Sequence, residues 1–337
     1  MDGRFFAQSA YHKDDAQSKA RKTARKAPEN GGDSMDWKTE FDRKLSAFPG
    51  VKILRDEPMK RHTSFRTGGP AARMAFPKNA GEFALVLASA AEIGADPLIM
   101  GGGTNLLAPD GGLDRLIVNT REMRKIEPGP EPRTILAASG CSLRQAAEFA
   151  CTRGLTGLEF AHGIPGTVGG GVYMNAGAYD GEMSQVLSGA LVLSDMDVSF
   201  LSADALELSY RHSSLMEQPG TFVLSALLKL SPGAPADIRH KMESLMERRK
   251  KSQPLEFPSA GSTFKRPVGY YAGTLIEQCG LKGLRVGGAE VSEKHAGFVI
   301  NRGDASSADV LAVIREVRKR VLEKTGVALE PEVRILE

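Results

Sequence analysis

Pro97-Leu-Ile-Met-Gly-Gly-Gly-Thr-Asn-Leu-Leu107 is the stretch on which the fold reading turns. A short apolar run between Pro97 and Gly101 reads as a buried strand, and it empties directly into three glycines. Glycine lets backbone N–H groups turn toward an anion and approach it closely, and Thr104 and Asn105 add side-chain donors. Gly101, Gly102 and Gly103 therefore suit a phosphate cradle, with a plain turn as the alternative. The stretch is not a G-x-G-x-x-G fingerprint, because Leu106 fills the third glycine position. Nor is it a Walker-type loop, since no lysine follows at the required spacing.

Two more small-residue segments lie downstream. Gly163-Ile-Pro-Gly-Thr-Val-Gly-Gly-Gly171 repeats glycine at 163, 166 and 169, places Pro165 where a first helical turn would accept it, and is followed by Asn175-Ala-Gly-Ala-Tyr179. It fits either a helix start packed against a flat ligand or a structural glycine helix. Ser259-Ala-Gly-Ser-Thr-Phe-Lys-Arg-Pro267 ends in two cations that suit a pyrophosphate or carboxylate, or else a surface turn with solvated charges. Ser262, taken alone, reads as a cap or turn residue.

Around these segments the chain predicts a succession of short elements. Helices are expected over 36–47, 81–93, 142–153 (with Ser142 as its cap), 235–251, 271–279 and 306–325. Strands are expected at 51–55, 97–100, 115–119, 134–139, 186–194, 197–201, 221–230, 284–291, 297–301 and 332–336. Residues 1–34 are polar, carry the basic run Lys19–Lys26, and read as a disordered leader. A boundary between two ordered units, 35–232 and 233–337, is expected near Pro232–Pro235.

Composition narrows the function classes. A chain of 337 residues has room for two or three cores. A net charge of +3 is too small for a nucleic-acid-binding balance. The three cysteines, Cys141, Cys151 and Cys279, form no CxxC pair, so free thiols in a reducing cytoplasm are expected rather than disulfides or zinc. No apolar run approaches a membrane span, and no signal-peptide core opens the sequence. There is no GxSxG elbow, no HExxH and no close His/Asp/Glu set to suggest a metal.

Taken in order, His62-Thr-Ser-Phe-Arg-Thr-Gly-Gly-Pro70, Gly101–Leu107, Gly157–Tyr179, Tyr210-Arg-His-Ser213, Gly261–Pro267, Glu290–Asn301 and Leu329-Glu-Pro-Glu-Val-Arg334 resemble the UDP-N-acetylmuramate dehydrogenase family, also called UDP-N-acetylenolpyruvoylglucosamine reductases. The resemblance implies an α+β fold: an FAD-binding region of the vanillyl-alcohol-oxidase (PCMH) type, made of two α+β subdomains, and a C-terminal α+β substrate-binding domain. It implies non-covalent FAD held by Thr63, Ser64, Arg66, Gly101, Gly102, Gly103, Thr104, Asn105, Gly163, Ile164, Gly166, Thr167, Gly169, Gly170, Asn175 and Gly177. NADPH is the implied co-substrate, and UDP-N-acetylglucosamine enolpyruvate the substrate, reduced to UDP-N-acetylmuramate for peptidoglycan synthesis.

The resemblance also implies the catalytic trio. Flavin N5 delivers hydride to the terminal enolpyruvyl carbon, Arg211 and Glu332 stabilise the resulting enolate, and Ser262 donates the proton to C2. Tyr210, Lys265 and Arg266 are the expected contacts to the sugar nucleotide, with Lys265 also a polariser of the Ser262 hydroxyl. The short interval from Arg211 to Ser262 matches the family's second type, which lacks a tyrosine-bearing lid loop. A cytoplasmic monomer without metal, nucleic-acid or membrane partners is the overall expectation. The competing readings are another FAD oxidoreductase on this fold and a non-catalytic nucleotide-sugar sensor.

Overall fold

Strand Leu113–Asn119 is the axis of the first layer. In the computed structural model, which describes residues 36–337 and leaves the expected leader outside the described residues, it pairs in parallel with Pro70–Phe76 and with Leu98–Met100. Lys52–Pro58 completes the four-stranded sheet as an antiparallel edge. Helices α1 (Trp37–Leu45) and α2 (Ala80–Glu92) bury Phe41, Leu45, Phe83 and Val86 against Leu116 and Val118. Asn79 caps α2 by accepting a hydrogen bond from the Glu82 amide.

Strand Pro70–Phe76 was not among the expected strands. Its residues Ala71–Phe76 are all buried, so no polar alternation marks it, and Arg73 interrupts the apolar run. Asp42 of α1 makes that burial possible by receiving Nε and a terminal nitrogen of Arg73 at 2.8 and 2.9 Å.

The second layer is an antiparallel sheet ordered Asp197–Ser202, Leu187–Ser194, Phe222–Lys229, Thr134–Ala138 and Ile126–Pro128. Three helices accompany it: α3 (Leu143–Thr152), α4 (Val168–Tyr173) and α5 (Pro235–Ser252). Ser142 and Gln145 close a capping box on α3. Helix α5, expected in the C-terminal unit, buries Ile238 and Met242 in this second core beside Phe160, Val172 and Leu228.

The remaining chain forms α6 (Ala272–Gln278), a three-stranded meander and α7 (Ser307–Thr325). The expected single strand over 284–291 is two strands, Arg285–Val286 and Ala289–Val291, paired as a hairpin. Gly287 sits at φ +51° in the turn, the left-handed conformation that glycine adopts without a Cβ penalty. Helix α7 buries Val310, Val313, Ile314, Val317 and Val321, the spacing that the sequence shows.

Contacts from the first layer fix this C-terminal part. Phe65 and Leu107 share its core, and the Asp110 carboxylate accepts the Ser307 and Ala308 amides at the start of α7. Asn301 Nδ2 donates to the Phe65 carbonyl at 2.9 Å. The final strand, shortened to Arg334–Ile335, pairs in parallel with Leu106–Leu107 just past the glycine loop. Cys141, Cys151 and Cys279 are free and buried, and burial pushes the Cys141 thiol up to about 11. Among the described residues no helix is long and apolar enough to cross a membrane.

Candidate active site

The pairing of Arg334 with Leu106 brings two distant segments face to face. Asn105, at the end of the glycine loop, donates through Nδ2 to the Glu332 carbonyl at 3.0 Å and accepts the Arg334 amide at 3.0 Å. The Glu332 amide donates to the Thr263 carbonyl at 2.8 Å, and Thr263 Oγ1, fully buried, accepts the Val299 amide at 3.0 Å. The Ser262 loop is thereby stitched between the C-terminal strand and the meander. Three sequence-distant loops acquire one geometry.

Arg211 reaches this junction from the second layer. Its Nε donates to Glu332 Oε1 at 2.8 Å and a terminal nitrogen donates to the Gly177 carbonyl at 3.1 Å. Its backbone is held at φ +56°, an uncommon conformation for a residue with a side chain. Burial pushes the Glu332 carboxyl above the usual carboxylate range; attraction to Arg211, their hydrogen bond and the charge of Lys265 oppose that rise. The outcome is a part-buried, charge-compensated pair.

Arg211, Ser262 and Glu332 line one cavity of about 350 Å³, together with Tyr210 and Arg266. Among the described residues, Ser262 Oγ donates only to the Phe264 carbonyl, at 3.2 Å. The Arg266 amide donates to the Tyr210 hydroxyl at 3.1 Å, while the Arg211 guanidinium lies over the Tyr210 ring, 5.0 Å from its centre. Lys265, expected to contact the sugar nucleotide and polarise Ser262, instead donates to Glu330 Oε1 at 2.5 Å and is not part of the cavity wall. A neighbouring surface carboxylate takes the ammonium first.

The wall also contains residues that the sequence reading did not single out as contacts: Tyr271, Thr274 and Glu277 at α6, and Lys294 with His295 before the last strand of the meander. Burial lowers the pKa of His295, and its Nδ1 accepts the Gly297 amide at 3.1 Å, which leaves Nε2 as the protonated nitrogen of a neutral ring. His295 and Lys294 fall inside the Glu290–Asn301 segment that carried the resemblance. An exposed tyrosine at a helix start has no comparable sequence signal.

The expected cofactor residues divide by what they touch. A Cβ added at Gly101 would lie 2.2 Å from Thr167 Oγ1, and one at Gly102 would lie 3.2 Å from Gly166 Cα, so the two glycine segments form facing walls. Thr104 Oγ1 donates to the Pro165 carbonyl at 3.2 Å across the same junction. The Ser64 amide donates to the Gly103 carbonyl, and its hydroxyl is buried without a partner, as a donor awaiting an anion would be. Glycine-lined walls and an orphaned hydroxyl fit the diphosphate of FAD.

Other expected contacts have internal duties. Asn175 is fully buried, with Nδ2 on the Ser209 carbonyl and Oδ1 on the Ser184 amide. Thr63 Oγ1 donates to the Thr67 carbonyl, the Gly163 carbonyl accepts from Arg249, and Gly177 holds Arg211. Gly169 packs on Ser139, Gly170 gives its amide to Thr167 Oγ1 in α4, and Ile164 packs on the second core. Arg66 lines a separate cavity with Lys60 and Asp110.

Gly103 provides a direct test of the cradle. Its φ is +63°, and a Cβ there would stand 1.9 Å from the His62 carbonyl oxygen. Gly103→Ala is expected to displace the loop, cost about 1–3 kcal/mol of stability and yield a protein that loses FAD on gel filtration. Full FAD retention with an unchanged melting curve would remove the loop from the cofactor site.

Comparison with known proteins gives the same assignment. The model of the UDP-N-acetylenolpyruvoylglucosamine reductase C-terminal domain matches residues 253–336, and that of an FAD binding domain matches residues 71–197. The UDP-N-acetylenolpyruvoylglucosamine reductase of Levilactobacillus brevis is 45% identical over 292 residues, 86% of this chain and 95% of the relative. That of Caldanaerobacter subterraneus subsp. tengcongensis is 47% identical over 286 residues, 85% of this chain and 94% of the relative. The crystal structure of the Thermus caldophilus reductase superposes with a TM-score of 0.73 at 34% identity, covering 85% of this chain and 99% of that one. Through these matches along nearly the whole length of its relatives, the chain belongs to the UDP-N-acetylenolpyruvoylglucosamine reductase family.

Proposed function

We propose that Arg211, Ser262 and Glu332 form the reducing centre of an FAD-dependent enzyme that converts UDP-N-acetylglucosamine enolpyruvate to UDP-N-acetylmuramate in peptidoglycan precursor synthesis. The observation that carries this reading is the cavity in which Ser262 stands with the part-buried Arg211–Glu332 pair, bonded at 2.8 Å. FAD, when bound, relays a hydride from NADPH to the terminal carbon of the enolpyruvyl double bond.

This chain's residues handle the charge and the proton. As the terminal carbon gains hydride, negative charge develops at C2 and spreads into the substrate carboxylate. The Arg211 guanidinium, fixed by Glu332 and Gly177, stabilises that enolate without having to reorganise. The Ser262 O–H bond breaks as a C–H bond forms at C2. Its hydrogen bond to Phe264 is long enough to be surrendered easily, and the rigid Thr263 beside it keeps the hydroxyl in position. Glu332 balances the charge of Arg211 and sets its orientation.

Lys265 contributes through its charge on Glu332. Tyr210 and Arg266, joined by the hydrogen bond from the Arg266 amide to the Tyr210 hydroxyl, serve the sugar nucleotide. The C-terminal substrate unit starts at about Gln253, because α5 belongs to the second core and the family's C-terminal domain matches from 253. A cytoplasmic monomer is the state we assign to the chain within this reading.

An anaerobic absorption experiment tests the reading. The purified protein is expected to carry oxidised FAD, to bleach with NADPH, and to recover its oxidised spectrum when the enolpyruvyl sugar nucleotide is added. Bleaching without recovery would assign another oxidoreductase activity to this fold. A protein that takes up no FAD would overturn the proposal.

A further inference from the structure

Four aromatic rings stand in the wall of the active-site cavity, and three are already engaged. Tyr210 has the Arg211 guanidinium on its ring and the Arg266 amide on its hydroxyl. Phe264 is only 2% exposed. The His295 ring packs edge-on against Phe298, 4.8 Å between centres. Tyr271 differs: it is 61% exposed, at the N-cap of α6, and among the described residues no ring stacks on it.

What lies across Tyr271 is a planar cation. The Arg266 guanidinium sits 3.9 Å from the ring centre and, among the described residues, makes no ion pair. The ring face therefore accepts a flat group, and the group occupying it is attached to a long side chain whose charge is unneutralised. A solvent-exposed cation–π contact is weak, whereas charge-assisted hydrogen bonds from guanidinium to phosphate are strong and often bidentate. A ligand carrying both a flat base and a diphosphate satisfies both partners better than they satisfy each other.

We propose that Tyr271 is the platform on which the uracil of the UDP moiety stacks, and that Arg266 turns from the Tyr271 ring to the diphosphate as the base arrives. The inference rests on the reductase reading and deepens it by naming the residue that selects the nucleotide. Tyr271 is a specificity-determining residue with no part in hydride or proton transfer. It stands beside Arg266, four residues along from the serine that supplies the proton, so base recognition and proton donation share one short loop. In a chain without the tyrosine-bearing lid, this stack takes over part of the task of holding the sugar nucleotide.

The test is calorimetric titration of the FAD-loaded protein with UDP, for wild type, Tyr271→Ala and Tyr271→Phe. Base–aromatic stacking changes affinity by about 5- to 150-fold per base, so Tyr271→Ala is expected to weaken UDP binding by about tenfold or more. Tyr271→Phe keeps the ring and is expected to stay within about twofold of wild type, which separates stacking from a role of the hydroxyl. In steady state, Tyr271→Ala should raise the KM for the enolpyruvyl substrate by a larger factor than it lowers kcat. UDP binding by Tyr271→Ala within twofold of wild type overturns the inference, and so does a loss equal in Tyr271→Phe. Either result accompanied by normal flavin recovery in the wild type leaves the reductase reading intact. If wild type binds no UDP and its flavin does not recover, both fail.

Discussion

Ser262→Ala is expected to leave flavin reduction by NADPH at its wild-type rate and to slow flavin recovery by the enolpyruvyl substrate by about 10²–10⁴-fold, the usual loss for a removed general acid. The separation arises because the two half-reactions need different things from this loop. Reduction by NADPH requires no proton at C2; reduction of the enolpyruvyl group does.

The substitution is clean on structural grounds. Among the described residues, Ser262 Oγ bonds only the Phe264 carbonyl, at 3.2 Å, two residues away in the same loop. The loop itself is held by Thr263, which bonds Gly297, Val299 and Glu332 through its amide, hydroxyl and carbonyl. Alanine therefore removes the proton and keeps the scaffold. Anaerobic stopped-flow measurement of both half-reactions provides the check. Recovery within a factor of ten of wild type would show that the proton comes from elsewhere.

The second large effect is expected at Arg211. Arg211→Met should lower the rate of enolpyruvyl reduction by about 10²–10³-fold through loss of a preorganised cation beside the enolate. It should also destabilise the fold by about 1–3 kcal/mol, because the part-buried Glu332 loses its counter-charge. Glu332 already has a pKa raised by burial, with Arg211 opposing the rise. Removing Arg211 raises it further.

The sign of the pH dependence follows. A carboxyl whose folded pKa lies above its unfolded value binds its proton more tightly in the folded state. Its contribution then makes stability fall as pH rises from the ordinary carboxylate range through the folded pKa. In Arg211→Met that falling window extends to higher pH than in wild type. Urea unfolding across pH should show the steeper decline in Arg211→Met, and the double variant Arg211→Met/Glu332→Gln should abolish the added slope. A slope unchanged by Glu332→Gln would place the titrating group elsewhere.

Much of the architecture was legible before any coordinates. Helix α7 follows from Val310, Val313, Ile314, Val317 and Val321 on one face. Helix α3 follows from Ser142 as its cap. The strand Pro70–Phe76 was hidden because it is buried on both faces and carries Arg73, whose charge is acceptable only once α1 supplies Asp42. Helix α5 could not be assigned to a core from its own residues. Its two buried apolar positions, Ile238 and Met242, fit an apolar surface of either unit equally well.

The same distinction runs through the site. Side-chain chemistry and local backbone needs are written in the sequence: three glycines after a strand, a serine in a small-residue loop, arginine and glutamate in recognisable segments. These determined the family, the cofactor class and the three residues proposed for catalysis. Which of those side chains remain open to a ligand was decided by tertiary contacts alone. Asn175 is consumed by Ser184 and Ser209, and Lys265 by Glu330, while Ser64 keeps a hydroxyl without a partner. Tyr271 stays exposed at the cavity wall. A hydrogen-bonding group has a fixed capacity, and only the folded chain determines which neighbour, near or 227 residues away as with Asn105 and Glu332, takes it up first.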